Sequence, residues 1–257
     1  FGFDHRRTYL RGHGLDTTMN YPFRNAAVAF ARGEDASAVG EQIMSICENY
    51  PKPALDCAMN FLSTHDTERG ITAIAGEPAN GRDRYWQSKR MIPGDRIDDA
   101  LRRVLLAYAM LYTLPGVPCV YYGDEIGMRY IPDMISVEGG YERTGSRTPM
   151  QWSKGVNGDF SSAPSRMLYM AMDPDTDRPD AESQMAQEDS LYHWIQRLIA
   201  LRKAYPCFGN DGYAEFVKAE KGCSPIVLKR EKEGSCGYVV LNPFDQPLFV
   251  EDFGICL

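Results

Sequence analysis

The stretch Asn60-Phe61-Leu62-Ser63-Thr64-His65-Asp66-Thr67-Glu68-Arg69 decides how this chain is read, because an apolar run stops abruptly there at a cluster of ionisable side chains. With the preceding Ala54-Leu55-Asp56-Cys57-Ala58-Met59, the apolar part is short and uncharged on most of both faces, which suits a strand buried on both sides of a parallel sheet. His65, Asp66, Glu68 and Arg69 then fall just past its C-terminal end. Open α/β sheets and α/β barrels collect their ligands in that place, because the loops following the strands converge on one crevice.

Working outward, composition narrows the partners. At 257 residues, 44% hydrophobic and 25% charged, the chain is an ordinary globular sequence with room for a sizeable core. Its 28 Lys plus Arg against 35 Asp plus Glu give a net charge of −7. That argues against an extended phosphate-binding face and favours a neutral or small-molecule partner, so nucleic acid is not expected. The seven cysteines are scattered and never spaced as Cys-x-x-Cys, so neither a disulfide framework nor a zinc site is signalled. No apolar run approaches the ~18 residues of a membrane span, and the opening Phe1-Gly2-Phe3-Asp4-His5-Arg6-Arg7 is not a signal peptide. Nothing fixes a compartment, with the cytoplasm slightly favoured.

Before the central stretch, residues 15–19 read as a short strand, residues 24–32 as a helix closed by Gly33, and residues 39–48 as a second helix ended by Pro51 and Pro53. After it, residues 70–94 are rich in Gly, Pro and charge and read as a long loop with a little helix in it. Asp95 is placed to cap a helix over residues 97–114, whose Ile97, Leu101, Val104, Leu105, Tyr108, Leu111 and Tyr112 trace one apolar face. Pro115-Gly116 ends it and residues 117–122 form another strand. Strand, helix, strand, helix, strand is the order of βαβ units, hence a parallel sheet or barrel. Residues 131–188 lack periodicity and read as a loop excursion. Asp189 or Ser190 caps a helix in which Leu191, Trp194, Ile195, Leu198, Leu201 and Tyr205 form the expected buried stripe. Short alternating runs at 213–218, 226–230, 237–241 and 248–253 have the rhythm of an antiparallel β module.

Four motifs in order carry a resemblance: Met19-Asn20-Tyr21-Pro22-Phe23-Arg24, the segment 60–69, Leu114-Pro115-Gly116-Val117-Pro118-Cys119-Val120-Tyr121-Tyr122-Gly123-Asp124-Glu125-Ile126-Gly127-Met128, and Arg147-Thr148-Pro149-Met150-Gln151-Trp152. Together they resemble the α-amylase family of glycoside hydrolases, closest to members acting on small α-glucosides and maltodextrins. The resemblance implies an α/β fold, the C-terminal portion of a (β/α)8 TIM barrel followed by a partial antiparallel β domain. Residues 1–206 would hold the last three barrel strands and their helices, with a long loop at 129–188, and residues 207–257 an incomplete C-terminal β domain. It implies for Asp66 the third carboxylate's role, stabilising the transition state, and for His65 contact with the same sugar.

Arg147, with Gln151 and Trp152, is a candidate for substrate contact, since a planar donor fork and an aromatic face suit sugar hydroxyls and ring faces. Glu68 and Arg69 read as a local ion pair or a wall of the site, with Arg69 also in reach of a sugar hydroxyl. Taken without the family, a His-Asp pair after a strand is more often a local hydrogen-bonded pair than a site. Asn20, Tyr21 and Arg24 read as scaffold, and Asp124 as a cap for the turn that follows it, because the adjacent Asp124 and Glu125 point in different directions.

Retaining hydrolysis needs a nucleophilic carboxylate and a raised-pKa acid about 5–5.5 Å apart. No match to the family's nucleophile motif occurs in the 257 residues, and its acid/base glutamate would precede Phe1. The lone chain is therefore expected to be inactive, a piece of an enzyme acting on α-glucan or maltooligosaccharide, with self-association or a missing N-terminal half as partner. A transglycosylase and a non-catalytic amylase-like binding or structural protein are the alternatives. No metal or other cofactor is expected here; many family members hold calcium through a part this sequence does not carry, so calcium stays an option for the full-length enzyme only. Asp173-Pro174-Asp175-Thr176-Asp177 lacks the Gly and terminal Glu of an EF-hand and reads as a plain acidic loop.

Overall fold

Parallel pairing forms around residue 59. In a computed structural model, which describes residues 8–10, 12–76, 97–141 and 143–247, β1 (Met59–Phe61) runs parallel to β2 (Val117–Cys119) in the register Met59 to Val117, Asn60 to Pro118 and Phe61 to Cys119. On the opposite edge of β1, the Met59 amide and carbonyl bond Thr18 and Asn20, and Met19 makes a single parallel bridge. The three segments are therefore parallel neighbours in the order 19, β1, β2.

All three segments are shorter than the sequence suggests, for local reasons. Residues 54–58 are not strand: Pro51 and Pro53 start a short helix, α3 (Lys52–Asp56), because proline at the first turn has a pre-set φ and no amide to lose. Of residues 15–19 only Met19 pairs. The Leu15 amide instead donates to the Tyr9 carbonyl at 2.9 Å, closing a turn through Gly12 at φ +85°, and Leu15 is 55% exposed. β2 stops at Cys119, and Gly123 and Gly127, at φ +84° and +78°, bracket a 3-10 turn over Asp124–Ile126.

α1 (Tyr21–Ala31) begins three residues before the expected start, because the Asn20 side chain accepts from the Phe23 amide and Pro22 sits in the first turn. α2 (Ala36–Asn49) is capped by Asp35 and buries Val39, Ile43 and Ile46. A Cβ on its Gly40 would lie 3.1 Å from the Ala219 Cβ, so the glycine lets the helix settle on β3 (Tyr213–Ala219). β3, β4 (Ile226–Lys232) and β5 (Ser235–Leu241) form an antiparallel sheet with β4 central and Ile226, Val227 and Leu228 fully buried.

The chain divides into two compact units: Phe1–Phe61, Leu106–Cys119 and Ile199–Leu257 in one, Leu62–Leu105 and Val120–Leu198 in the other. The second holds α4 (Gly70–Ala75), buried along its whole length, a little helix at the start of the expected 70–94 loop. α5 (Ile97–Thr113) begins in this unit and matches its expected extent, with Asp98 and Asp99 in its first turn, where carboxylates suit the helix dipole. The 131–188 excursion consists of 3-10 turns and a short helix, α6 (Ala181–Ala186), whose Ala181 packs with Ile126, Met128 and Met150.

α7 (Leu191–Ala204) corrects its expected stripe. Leu191 and Ile195 are buried, but Trp194 and Tyr205 are 41% and 54% exposed, and the Arg197 guanidinium lies 4.6 Å from the Trp194 ring. The acidic run at 173–177 is held by Arg129, which pairs with Asp173 at 3.4 Å and Asp175 at 3.0 Å. Among the described residues no group of three metal-ligating side chains occurs, and no helix is long and apolar enough to cross a membrane. The Asp95 cap, the 77–94 part of the expected loop and the 248–253 strand lie outside the described residues.

Candidate active site

Beyond Phe61 the chain enters the second unit and turns immediately. The Thr64 amide donates to the Thr67 hydroxyl at 2.9 Å and the Asp66 amide to the Thr64 hydroxyl at 3.1 Å, so residues 64–67 satisfy one another locally and leave the His65 and Asp66 side chains outward. Those side chains are 60% and 40% exposed, with His65 Nε2 3.3 Å from Asp66 Oδ2.

The other carboxylate oxygen is held from the excursion. Arg143 Nη1 donates to Asp66 Oδ1 at 2.6 Å and Arg147 Nη2 to the same atom at 3.1 Å, while Arg147 Nε donates to the His65 carbonyl at 2.9 Å. A 3-10 turn over Thr144–Ser146 separates the two arginines and sets both toward Asp66, and the Ser146 hydroxyl donates to the Thr67 carbonyl. Burial pushes the Asp66 carboxyl up, but the Arg143 hydrogen bond and the charges of His65, Arg143 and Arg147 outweigh it and hold the group below the ordinary carboxylate range.

A buried knot fixes this loop from behind. Arg69, expected among the sugar contacts, is instead 0% exposed. Its Nη1 donates to the Tyr122 carbonyl and lies 3.3 Å from Asp124 Oδ1, and its guanidinium sits 4.5 Å and 4.7 Å from the Tyr121 and Tyr122 ring centroids. The rings cover Arg69 Nε and Nη2, which have no hydrogen-bond partner among the described residues. Nor does the Asp124 side chain cap the turn after it; it takes the Ser63 hydroxyl and Arg69. A Cβ at Gly70 would stand 3.3 Å from Asp124 Oδ2, so glycine leaves room for that approach. Burial drives Asp124 above the usual carboxylate range despite Arg69 and Ser63.

Gln151 is buried, whereas Trp152 is half exposed. In the first unit Asn20 and Asn60 are scaffold: Asn20 Nδ2 donates to Asn60 Oδ1 at 2.8 Å and Asn60 Nδ2 to the Pro115 carbonyl at 2.7 Å. Sequence reasoning passed over Arg143, Ser63 and the true partners of Asp124. The available signal was the Arg143 and Arg147 pair, four residues apart around Thr-Gly-Ser.

What the corner can do chemically is restricted and specific. It presents an ionised carboxylate, one oxygen clamped and the other beside an imidazole, on a rigid loop open to solvent: a fixed negative charge suited to hydroxyl donors and to positive charge developing on a bound ring. Parallel strands joined in βαβ order, with a polar loop following a strand, make this an α/β protein of the sheet or barrel class, whose ligands gather after the strands. Residues 3–211 match the alpha amylase catalytic domain, and the chain belongs to that family.

Among individual relatives, a cyclomaltodextrinase of Geobacillus thermopakistaniensis is 27% identical over 236 residues, 91% of this chain and 29% of the relative. A trehalose synthase of Thermus thermophilus is 32% identical over 263 residues, 92% of this chain and 25% of the relative. The crystal structure of an alpha-amylase from H. orenii superposes with a TM-score of 0.66 at 22% identity, covering 96% of this chain and 43% of that one. The fold is thus the C-terminal portion of the family's barrel followed by an antiparallel β module, and the chain spans less than half the length of these relatives.

Proposed function

We propose that this polypeptide supplies the sugar-gripping corner of a retaining α-amylase-type glycosidase acting on α-glucosidic bonds of starch-derived oligosaccharides, with Asp66 as the transition-state stabiliser. His65 and Arg147 contact the same sugar, Arg147 through the Nη1 left over from its bonds to His65 and Asp66. Arg69 is a positioning residue that locks the loop. The relatives' names cover both a cyclomaltodextrinase and a trehalose synthase, so hydrolysis and transfer of α-glucosyl units both lie within the reading.

The observation that carries the proposal is the convergence of His65, Arg143 and Arg147 on an ionised, half-exposed Asp66. A carboxylate in that state binds and stabilises charge; it neither protonates a leaving oxygen nor, clamped by two arginines, attacks a sugar. The purified chain should therefore bind maltotriose in calorimetry, lose at least tenfold in affinity on Asp66→Asn, and show no turnover of a chromogenic maltooligosaccharide. Turnover that disappears in D66N would show that the corner needs no complement, and unaltered binding by D66N would remove Asp66 from the site.

A further inference from the structure

A second cavity, of about 230 Å³, lies wholly within the second unit and shares no wall residue with the Asp66 corner. Its wall comes from α4, the start of α5, the turn at Ile126 and α6, and is of two kinds: Ile71, Leu101 and Ile126 are aliphatic, while Arg129, Lys154 and Arg178 are cationic. The cations are not equivalent. Arg129 gives its Nη2 to Asp173 and Asp175, and Lys154 pairs at 3.4 Å with Asp180, whose side chain is buried. Arg178 has no ion-pair partner among the described residues. Its Nη1 makes one long bond, 3.5 Å, to the Asp173 carbonyl, and its Nε is buried with no hydrogen-bond partner among those residues. The backbone beneath it is nevertheless tied on both sides: the Arg178 amide donates to the Asp175 carbonyl at 3.3 Å, and the Arg178 carbonyl accepts from Lys154 Nζ. A half-buried guanidinium held in place with most of its donors unused is costly unless an anion meets it.

We propose that this cavity binds a small aliphatic monocarboxylate, with the carboxylate on Arg178 and the hydrocarbon body on Ile71, Leu101 and Ile126. A guanidinium fork matches a carboxylate in plane and spacing. The aliphatic part of the wall selects the rest of the ligand: phosphate or a sugar would set oxygens against it without partners, whereas a short branched chain loses only its contact with water. An ammonium end would face three cations. Two carboxylates also reach the cavity, but neither makes it a cation site. Asp180 is engaged by the Ser183 amide at 2.8 Å, the Ser183 hydroxyl at 2.9 Å and Lys154, and Asp177 is exposed and solvated. The inference does not depend on the role of Asp66, and a carboxylate here would bind alongside an oligosaccharide at the corner rather than compete with it.

The test titrates the full chain with isocaproate, the corresponding alcohol, acetate and inorganic phosphate, following backbone amide shifts by NMR. Isocaproate should produce saturable shifts centred on Gly127, Arg178 and Ser183, and should bind about tenfold more tightly than the alcohol, acetate or phosphate, the gain expected of a charge-assisted hydrogen bond joined to apolar burial. Arg178→Gln should remove the preference for the acid over the alcohol, and Arg178→Lys should keep part of it. Since the Arg178 side chain makes only one long bond, both variants should fold, and amide spectra unchanged away from the cavity check this. Leu101→Gln provides a second arm, lowering isocaproate affinity toward that of acetate. Absence of saturable shifts at the three amides overturns the proposal. So does phosphate or the alcohol binding as tightly as isocaproate, or an acid preference that survives R178Q.

Discussion

Asp66 carries a conflict that its neighbours resolve. Burial alone would favour its neutral form, yet a 2.6 Å bond from Arg143, the adjacent His65 and the longer 3.1 Å contact from Arg147 leave the carboxyl with a lowered pKa. Since Arg143 makes the shorter bond and acts through both hydrogen bonding and charge, Arg143→Ala should raise the Asp66 pKa further than Arg147→Ala, as read by NMR titration of the carboxyl carbon. The linked stability has a definite sign. A lowered folded-state pKa contributes stability that is present above the unfolded value near 3.9 and fades as pH falls through the folded value. With the group 40% exposed, solvent screening keeps that contribution small, so the titration rather than a melting curve is the decisive readout. An unchanged Asp66 titration in R143A would remove Arg143 from the account. His65 and Asp66 were legible in the sequence because they stand in a polar break after an apolar run, and Arg147 because it shares a motif with Gln151 and Trp152. Arg143 was not, since its partner lies 77 residues away and the one local sign is a second arginine four positions before Arg147. Arg69 misled for the opposite reason: arginines are mostly exposed, and only the aromatic pair and Asp124 folded around it explain its burial.

At the scale of elements, helices were easier to read than strands, because helical spacing repeats over several turns while a strand of three residues has almost no period to detect. α2 and α5 emerged from their apolar stripes and α4 was expected only as a little helix within a loop; α3 was hidden by a proline pair that looks like a stop and serves as a start. The least visible device is the end of α5. Arg230, on the central strand β4, is fully buried and donates to the carbonyls of Thr113, Gly209, Gly212 and Tyr213, while Arg202 donates to those of Tyr112, Leu114 and Gly116. Two guanidinium groups thus occupy the carbonyl end of one helix, where the dipole favours cations. Burial, with the nearby Arg202 charge, pulls the Arg230 pKa down to about 10, so the side chain is still cationic at neutral pH and its bonds are charge-assisted. Arg230→Met should cost about 3 kcal/mol in urea unfolding, because four carbonyls lose their donor in a buried site. Arg202→Met, at a less buried position, should cost about 1 kcal/mol. Equal losses for the two would mean that burial is not what sets the value of the Arg230 cluster.

For the whole molecule, the four motifs and their order were enough to give the family and the α/β class, because three of them pair a parallel strand segment with the turn that follows it. The distribution of exposed apolar surface was not legible, since it depends on how far each strand extends. Parallel strands are normally covered on both faces. Here β2 is only partly buried along its length, and Leu15, Tyr21 and Met59 around the parallel pair are 55%, 37% and 39% exposed. Removing such surface from water is favourable by roughly 25 cal/mol per Å², and an incompletely covered parallel pair invites a second chain. Opposing this is a net charge of −7, which repels like copies at long range but is screened over about 8 Å at physiological ionic strength. Burial acts at contact and charge at a distance, so the balance should tip with salt. The chain should elute heavier than its 28.9 kDa monomer in size-exclusion chromatography with light scattering, and the heavier fraction should grow from low to physiological salt. A sharp 28.9 kDa species at both ionic strengths, unfolding cooperatively, would mean that the exposed apolar side chains are too dispersed to act as one surface.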